Sequence, residues 1–172
     1  MKRKKRVNKP GLTWLIAACL LILIIVIYNP ISVRLMTIGV ALYYRLDPVI
    51  FYRQIRAESA FRSLAVSHRQ AIGLGQVRQS TAGYIEEEHD PELLYTPLYN
   101  LKVSAKYDLY LKKRFNGNWS LILAGYNWGE TAVARRMRGI VIDPNEDYRK
   151  HFRDIPETYN YIEKILGPLK KA

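Results

Sequence analysis

The sequence predicts a mostly α-helical protein, in which a single globular helical domain follows an N-terminal transmembrane helix. Three observations indicate this class. Residues 11–28 are uncharged and mostly apolar, about long enough for a membrane-spanning helix. Helix start signals recur further along the chain, at Asp47-Pro48, Asp90-Pro91 and Thr96-Pro97. No alternating strand pattern of any length accompanies them, and a small hairpin is expected only around residues 72–77.

Length and composition limit the functional classes. The 172 residues leave room for one domain and a terminal extension. The formal net charge is +12, and a basic cluster in residues 1–10 carries about half of it, namely Lys2, Arg3, Lys4, Lys5, Arg6 and Lys9. The sequence contains neither a phosphate-binding loop nor a nucleophile motif. The three histidines lie far apart without ligand spacing, so we expect no metal site and no cofactor.

The N-terminus predicts the compartment. Residues 1–10 read as a basic cytoplasmic tail and residues 11–28 as a transmembrane signal anchor, which places the rest of the chain outside the cytoplasm. A cleavable signal peptide is disfavoured because no small-x-small site with a polar start follows Tyr28. A lipoprotein signal at Cys19 is disfavoured because the apolar run continues past it. Cys19 is the only cysteine, so the exported domain is expected to have no disulfide.

The next two segments lead to the first candidate residue. Residues 29–46 are apolar but interrupted by Arg34 and Arg45, which predicts a juxtamembrane segment and a domain that occupies residues 47–172. Asp47 and Pro48 begin a helix in which Glu58 lies near the side expected to be buried. Desolvation would raise the pKa of such a carboxyl, as a general acid requires.

Further helices are expected downstream. Ser80 and Thr81 cap a short one, residues 97–115 form a long helix that ends in the turn Asn116-Gly117-Asn118, and residues 119–126 form a short apolar helix. Residues 131–138 follow as a polar and basic segment, residues 139–153 as a loop, and residues 155–166 as a last helix.

Several segments together resemble the lytic transglycosylases of the SLT type, which share the goose-type lysozyme fold. The run Glu58-Ser59-Ala60-Phe61 matches E-S-x-F/W, and residues 67–76 align without a gap to S-x-x-G-A-x-G-L-M-Q. Residues 124–129 resemble A-A-Y-N-x-G, and residues 155–161 resemble I-P-x-x-E-T-x-x-Y with a shortened gap. Asn100 and Tyr107 match N-x-x-x-G-x-x-Y. The chain departs from these patterns at three positions, which are Gln70 for Gly, Gly75 for Met and Ser104 for Gly.

The resemblance implies an α+β lysozyme-like fold and a peptidoglycan lytic transglycosylase. Such an enzyme cleaves the β-1,4 bond between MurNAc and GlcNAc and leaves 1,6-anhydromuramyl ends. One Glu acts first as acid and then as base, and the match assigns that role to Glu58. By the same match, the substrate-binding candidates are Ser59, Ser67, Gly73, Gln76, Tyr126, Asn127 and Tyr161.

The expected partners follow from the same interpretation. They are peptidoglycan glycan strands and, through the N-terminal helix, the bacterial inner membrane, with the catalytic domain in the periplasm. Clusters of Lys and Arg at residues 112–114 and 135–138 could indicate nucleic acid, but an exported domain argues against it. Two alternatives stay open: a non-catalytic peptidoglycan-binding or scaffold component of a cell-envelope apparatus, and a lysozyme-like hydrolase using the same cleft.

Overall fold

The structure is a computed structural model that describes residues 10–168, without the side chain of Pro10. The predicted cytoplasmic tail therefore lies outside the described residues, apart from the backbone of Pro10. Eight α-helices form the described part of the chain: α1 (Pro10–Tyr28), α2 (Pro30–Tyr43), α3 (Pro48–Ser59), α4 (Gln79–Ile85), α5 (Pro97–Arg114), α6 (Trp119–Ala124), α7 (Glu130–Arg136) and α8 (Pro156–Leu166). Short 3-10 turns at Pro91–Tyr95 and Tyr148–Phe152 complete the connections. The predicted mostly α-helical class is confirmed.

Helix α1 differs from the other helices because its side chains are not packed in the core. Its segment Gly11–Tyr28 has a mean hydropathy of 2.7, and none of it is buried. By length and composition this helix is able to cross a membrane.

Helix α2 belongs to the same core as the rest of the protein. Asn29 caps it by accepting a hydrogen bond from the backbone N–H of Ile31. Its buried residues Val33, Thr37, Val40 and Ala41 recur at helical spacing, and the helix packs against α3 and α5. The segment that we predicted as juxtamembrane thus helps to build the globular unit, and the domain boundary at residue 47 remains a prediction.

Helix α3 begins as predicted. Asp47 Oδ1 accepts hydrogen bonds from the N–H groups of Val49 and Ile50, at 2.8 and 3.0 Å. Such a cap satisfies donors that have no partner within the helix. Two residues with positive φ end the helix, Ala60 at 53° and Phe61 at 63°, a conformation that costs energy for residues other than glycine. The chain therefore turns sharply directly after Glu58 and Ser59.

The predicted small hairpin consists of two isolated antiparallel bridges, from Ile72 to Val66 and from Ile72 to Val77. Some of the short helices and 3-10 turns elsewhere begin and end at residues other than the predicted ones. Ser80 and Thr81 lie inside α4, which starts at Gln79 and has no side-chain cap, so their predicted capping role is wrong.

The largest change in an element concerns the predicted helix 119–126. Helix α6 ends at Ala124, and the backbone continues as a π-helical turn over Gly125–Gly129 into α7. Asn118 caps α6 by accepting a hydrogen bond from the N–H of Leu121. The wider π turn adds a residue to the helical path, and such turns are frequent at functional sites.

Candidate active site

A cleft of about 510 Å³ opens between the end of α3, the bridged residues 66–77 (the hairpin segment), the π turn and the start of α8. Five of the eight candidate residues line it, namely Glu58, Ser67, Gln76, Tyr126 and Asn127. Candidates from three separate segments of the sequence therefore converge on one cavity, and its size is suited to a small ligand or a short piece of a polymer.

In the described part of the chain, Glu58 is one of two residues whose carboxyl groups line this cleft, the other being Glu157. Glu58 is partly buried in the last turn of α3, and the hydroxyl of Tyr161 in α8 donates a hydrogen bond to its Oε1 at 2.5 Å. Burial raises the pKa of Glu58 to about 7, against a smaller lowering by this hydrogen bond and by Lys164. The carboxyl therefore keeps its proton over a large part of the range below neutral pH. Proton donation to a substrate oxygen requires this state.

Tyr126 connects the π turn to the hairpin segment. Its hydroxyl donates a hydrogen bond to the carbonyl oxygen of Gly75 at 2.8 Å, and its ring lies 5.2 Å from the ring of Tyr107. Burial raises its pKa well above the usual value, so the hydroxyl stays protonated. Tyr126 thus holds the floor of the cleft with its polar end, while part of the residue lines the cavity.

Asn127 follows Tyr126 in the π turn and is oriented by α8. Thr158 Oγ1 donates a hydrogen bond to Asn127 Oδ1 at 2.8 Å. Among the described residues no partner is found for the amide nitrogen of Asn127, which lines the cleft. This nitrogen is therefore available as a donor to a ligand.

Gln76 and Asn100 hold the backbone of the hairpin segment in place by hydrogen bonds. Gln76 Nε2 donates to the carbonyl oxygens of Ala65 and Gly73, at 3.2 and 2.9 Å. Asn100 is buried in α5; it accepts from the N–H of Gly75 and donates to the carbonyl oxygens of Ile72 and Leu94. These bonds satisfy buried backbone groups that no regular strand ladder would satisfy.

Two of the substrate-binding candidates, Ser59 and Gly73, do not line the cavity. Ser59 is buried, and its hydroxyl donates to the carbonyl oxygen of Ile55, one turn earlier, so its side chain faces away from the cavity. Gly73 does not line the cavity either. It has a φ of 76°, and a Cβ at this position would clash with Asn100 Nδ2 and lie 2.7 Å from the carbonyl oxygen of Leu94. Gly73 is required for the close approach of the segment to α5.

The departures at Gly75 and Ser104 are in direct contact with each other. A Cβ on Gly75 would clash with Ser104 Oγ and would lie 2.9 Å from the hydroxyl of Tyr126. The Ser104 hydroxyl also donates to the carbonyl oxygen of Asn100 at 2.8 Å. A hydroxymethyl group from α5 therefore fills space that a side chain at position 75 would need. Positions 75 and 104 therefore compete for the same space.

The sequence did not predict a buried polar pair that lies beneath the cleft. Gln54 and Asp108 are both fully buried, and Gln54 Nε2 donates to Asp108 Oδ1 at 3.0 Å. The other oxygens, Gln54 Oε1 and Asp108 Oδ2, have no partner among the described residues. Two acceptors cannot satisfy each other, but a proton on Asp108 would make Oδ2 a donor. Burial, opposed in part by the hydrogen bond from Gln54, raises the pKa of Asp108 to about 8, so the neutral acid fits the pair.

Other residues of the cleft wall had weaker signals in the sequence. Tyr107, which the sequence indicates only as part of a motif, lines the cavity, as do Trp128, Arg78 and the exposed Glu157. None of these was predicted as a site residue. Their contribution depends on which segments meet in space, and single-sequence spacing does not reveal that.

Comparison with known proteins identifies the same family. The sequence model of the transglycosylase SLT domain matches residues 36–141. The X-ray structure of an inactive glutamate-to-glutamine mutant of lytic transglycosylase Slt from Pseudomonas aeruginosa superposes with a TM-score of 0.69 at 25% identity. It covers 77% of this chain, which spans 22% of that enzyme. The 70 kDa soluble lytic transglycosylase of Escherichia coli has the same fold, with a TM-score of 0.65 at 22% identity over 76% of this chain and 22% of its own.

A relative by sequence is a protein of Alteromonas sp. (strain M-1), named for a proposed role in tributyltin chloride resistance. It is 32% identical over 85 residues, which are 48% of this chain and 41% of that protein. This chain thus spans less than half of that relative and about a fifth of the two enzymes. The matched segment 36–141 covers more than half of the chain and includes the α3 acid, the hairpin segment and the π turn. The protein belongs to the transglycosylase SLT domain family.

Proposed function

We propose that this protein is a membrane-anchored peptidoglycan lytic transglycosylase in which Glu58 serves as general acid and then as base. The observation that carries the proposal is the carboxyl of Glu58, whose pKa is raised to about 7 and which is hydrogen-bonded to Tyr161 in a cleft of glycan-binding size. Family membership supports a transglycosylase-like activity, and the two solved enzymes support the fold.

The proposed chemistry starts with protonated Glu58. It gives its proton to the glycosidic oxygen as the bond to the MurNAc carbon breaks, and positive charge develops on the sugar ring. The N-acetyl group of the substrate assists at this centre. Glu58, now a carboxylate, takes the proton from the 6-hydroxyl of the same sugar. That oxygen then closes on the ring carbon, so no water is consumed.

The single acid is consistent with the surroundings of Glu58. The other carboxyl that lines the cleft, Glu157, is exposed to solvent, and Asp108 lies buried behind the wall. Most glycosidases use two carboxylates facing the bond. Intramolecular attack by the 6-hydroxyl needs no second base, since Glu58 performs both proton transfers.

The remaining candidates support binding in this proposal. We assign Ser67 and the side-chain carbonyl oxygen of Gln76 as polar partners of the sugar. Asn127 is a donor through its amide nitrogen, and Tyr126 forms part of the wall and floor of the cleft. Tyr161 orients the acid. Ser59 and Gly73 are assigned positioning roles, because one is buried behind the acid and the other packs against α5.

Helix α1 supports anchoring in the bacterial inner membrane with the cleft on the periplasmic side. Its composition and the basic residues 1–10 fit an N-in signal anchor. We place the start of the exported domain at α2 because that helix shares the core with α3 and α5. The sequence predicted a domain over residues 47–172. A domain that also includes α2 keeps the buried side of that helix covered by α3 and α5.

The test compares three forms of the full chain in detergent, each incubated with purified peptidoglycan sacculi. The forms are wild type, Glu58→Gln and Glu157→Gln, the last being a matched change at the other cleft glutamate. Released muropeptides are weighed by mass spectrometry. We expect products one water lighter than hydrolytic ones, a loss of roughly 10²–10⁴-fold with Glu58→Gln, and near wild-type release with Glu157→Gln.

Each alternative predicts a different result. Ordinary reducing ends would establish a muramidase that uses the same cleft. Sacculi that bind all three proteins while nothing is released would reject the enzyme and favour a scaffold component.

A further inference from the structure

One face of the protein is apolar and basic, and it lies away from the cleft. It surrounds a shallow cavity of about 590 Å³ between α2 and α3. We call it the α2–α3 face and define it by its lining residues, which are Ile31, Arg34, Leu35, Ile38, Pro48, Val49, Tyr52, Arg53 and Arg56. Ile31 and Leu35 are each 65% exposed, and Val49 is 57% exposed. Large apolar side chains grouped in this way indicate an interaction surface.

Helix α2 is apolar on two opposite sides. Val33, Thr37 and Val40 are buried in the core, whereas Ile31, Leu35, Ile38 and Leu42 form an exposed stripe at helical spacing. The core-facing stripe already accounts for the packing of the helix onto the domain. The exposed stripe is not needed for that packing and indicates a second apolar partner.

The charge of the α2–α3 face is of one sign. It contains three arginines and no acidic residue. Two of the arginines are held in place, because the Arg34 guanidinium lies 5.4 Å from the centre of the Phe61 ring and Arg53 Nη1 donates to the carbonyl oxygen of Ile165. A partner of this face must accept apolar side chains and carry negative charge next to them.

The position of the face identifies such a partner. Helix α1 ends at Tyr28 and α2 begins at Pro30, so one residue separates the two helices, and the exposed stripe begins at Ile31 in the first turn of α2. A bilayer that holds α1 lies directly next to the first turn of α2. Its acyl boundary takes apolar side chains, and its anionic headgroups pair with arginines.

We propose that the α2–α3 face rests on the outer surface of the bilayer that α1 crosses, with Leu35 and its neighbours at the acyl boundary and the three arginines on anionic phosphate headgroups. The proposal rests on the anchoring given under the proposed function. It makes α2 a second, interfacial point of attachment. The domain is then held in one orientation, since two attachments prevent rotation about the end of α1.

The experiment measures the depth of single labels in the full chain reconstituted into liposomes. Cys19→Ser removes the native thiol. An environment-sensitive fluorophore is then placed at Leu35→Cys, at Ile24→Cys inside α1, or at Val141→Cys. Val141 is a matched control because it is an apolar side chain, 93% exposed, in the segment after α7 and outside the face. Quenching by lipid-borne nitroxides is compared with quenching by aqueous iodide.

We expect the labels at positions 24 and 35 to be quenched several-fold more by the lipid nitroxide than the label at position 141. In liposomes with anionic lipid, changing Arg34, Arg53 and Arg56 together to Gln should reduce the lipid quenching at position 35 at least twofold. Position 24 should not change. In purely zwitterionic liposomes the three substitutions should have a smaller effect.

Three results would overturn the proposal. If iodide quenches position 35 as strongly as position 141 while position 24 is in lipid, the anchoring by α1 is retained and only the contact of the α2–α3 face with the bilayer is rejected. If iodide quenches both positions 24 and 35, the anchoring by α1 and the contact of the α2–α3 face with the bilayer are rejected together. Protection of position 35 from both quenchers would assign the face to a second copy of the chain or another protein.

Discussion

Glu58 and Tyr161 lie 103 positions apart in the sequence, but their side chains are hydrogen-bonded to each other in the folded protein. The acid lies in the last turn of α3, and the hydroxyl that orients it comes from α8. Burial is the larger effect on the acid and raises its pKa, while the Tyr161 hydrogen bond stabilises the carboxylate and lowers it. The balance of these two effects places the pKa of Glu58 at about 7.

This balance predicts the pH dependence of the activity. Cleavage of sacculi should decline as pH rises through about 7, because Glu58 loses the proton it must donate. Tyr161→Phe removes the hydrogen bond that lowers the pKa, so the midpoint of the decline should move to higher pH. Initial rates of muropeptide release between pH 5 and 9 measure it. Tyr159→Phe on the same helix is the control and should leave the midpoint in place; a downward shift with Tyr161→Phe would contradict the prediction.

At the level of single residues, most of the candidates that the sequence predicted lie together in one cleft, because they belong to short motifs. Glu58, Gln76, Tyr126 and Asn127 all line the cavity. The Gln54–Asp108 pair was missed for a physical reason. Its members lie 54 positions apart, and each separately resembles an ordinary polar residue on a helix. Only tertiary packing turns them into a buried acid and amide.

At the level of elements, the hairpin segment and α5 fit each other through Gly75 and Ser104. Gly75 has no positive φ, so it is not needed for backbone conformation. It is needed for space, since any Cβ there would clash with the Ser104 hydroxyl. The sequence showed both departures from the family pattern but could not show that they touch.

A double-mutant cycle tests this coupling. Gly75→Met alone should destabilise the protein by roughly 1–3 kcal/mol, because the new side chain overlaps Ser104. Ser104→Gly should cost about 1 kcal/mol, as expected for a glycine in a helix. The double variant should be more stable than the sum by at least about 1 kcal/mol, measured by denaturant unfolding.

The control for this cycle is Gly83→Met combined with Ser104→Gly. A Cβ on Gly83 meets no atom within 4 Å, so these two changes should be additive. Additivity at Gly75 and Ser104 as well would reject the competition for space.

The π turn is the element that the sequence could least predict. Residues 119–129 have the apolar content of one continuous helix, and the α-helical period was therefore expected to hold to Tyr126. A π turn changes which side chains face the cleft without changing composition. The sequence identified Tyr126 and Asn127 from a motif, but not the backbone that turns both toward the cavity.

For the whole molecule, two carboxyls make stability depend on pH in an unusual direction, the fully buried Asp108 and the partly buried Glu58. In the folded protein the pKa of Asp108 rises from 3.8 to about 8, and that of Glu58 rises from 4.5 to about 7. The folded state therefore binds more protons than the unfolded state between these values. The free energy of unfolding is highest below about pH 4 for these groups and decreases as pH rises toward 8.

Asp108→Asn should remove a large part of this dependence. The variant should be less sensitive to pH between 4 and 8, with a difference on the order of a few kcal/mol across that range. Thermal melting followed by far-ultraviolet circular dichroism measures it. Asp154→Asn is the control, because Arg136 lowers the pKa of this exposed carboxyl and its titration falls below the range. An equal slope in wild type and Asp108→Asn would show that Asp108 is ionised in the fold.

The one-residue junction at Asn29 has a consequence for how substrate is found. A single residue of extended chain spans only about 3.5 Å, so with α1 in a bilayer the domain has no tether long enough to leave the surface. Its cleft then moves only as the anchor diffuses sideways. Under the proposed function, the search for a cleavable bond becomes two-dimensional, and the glycan strands nearest the membrane are the ones that the cleft samples.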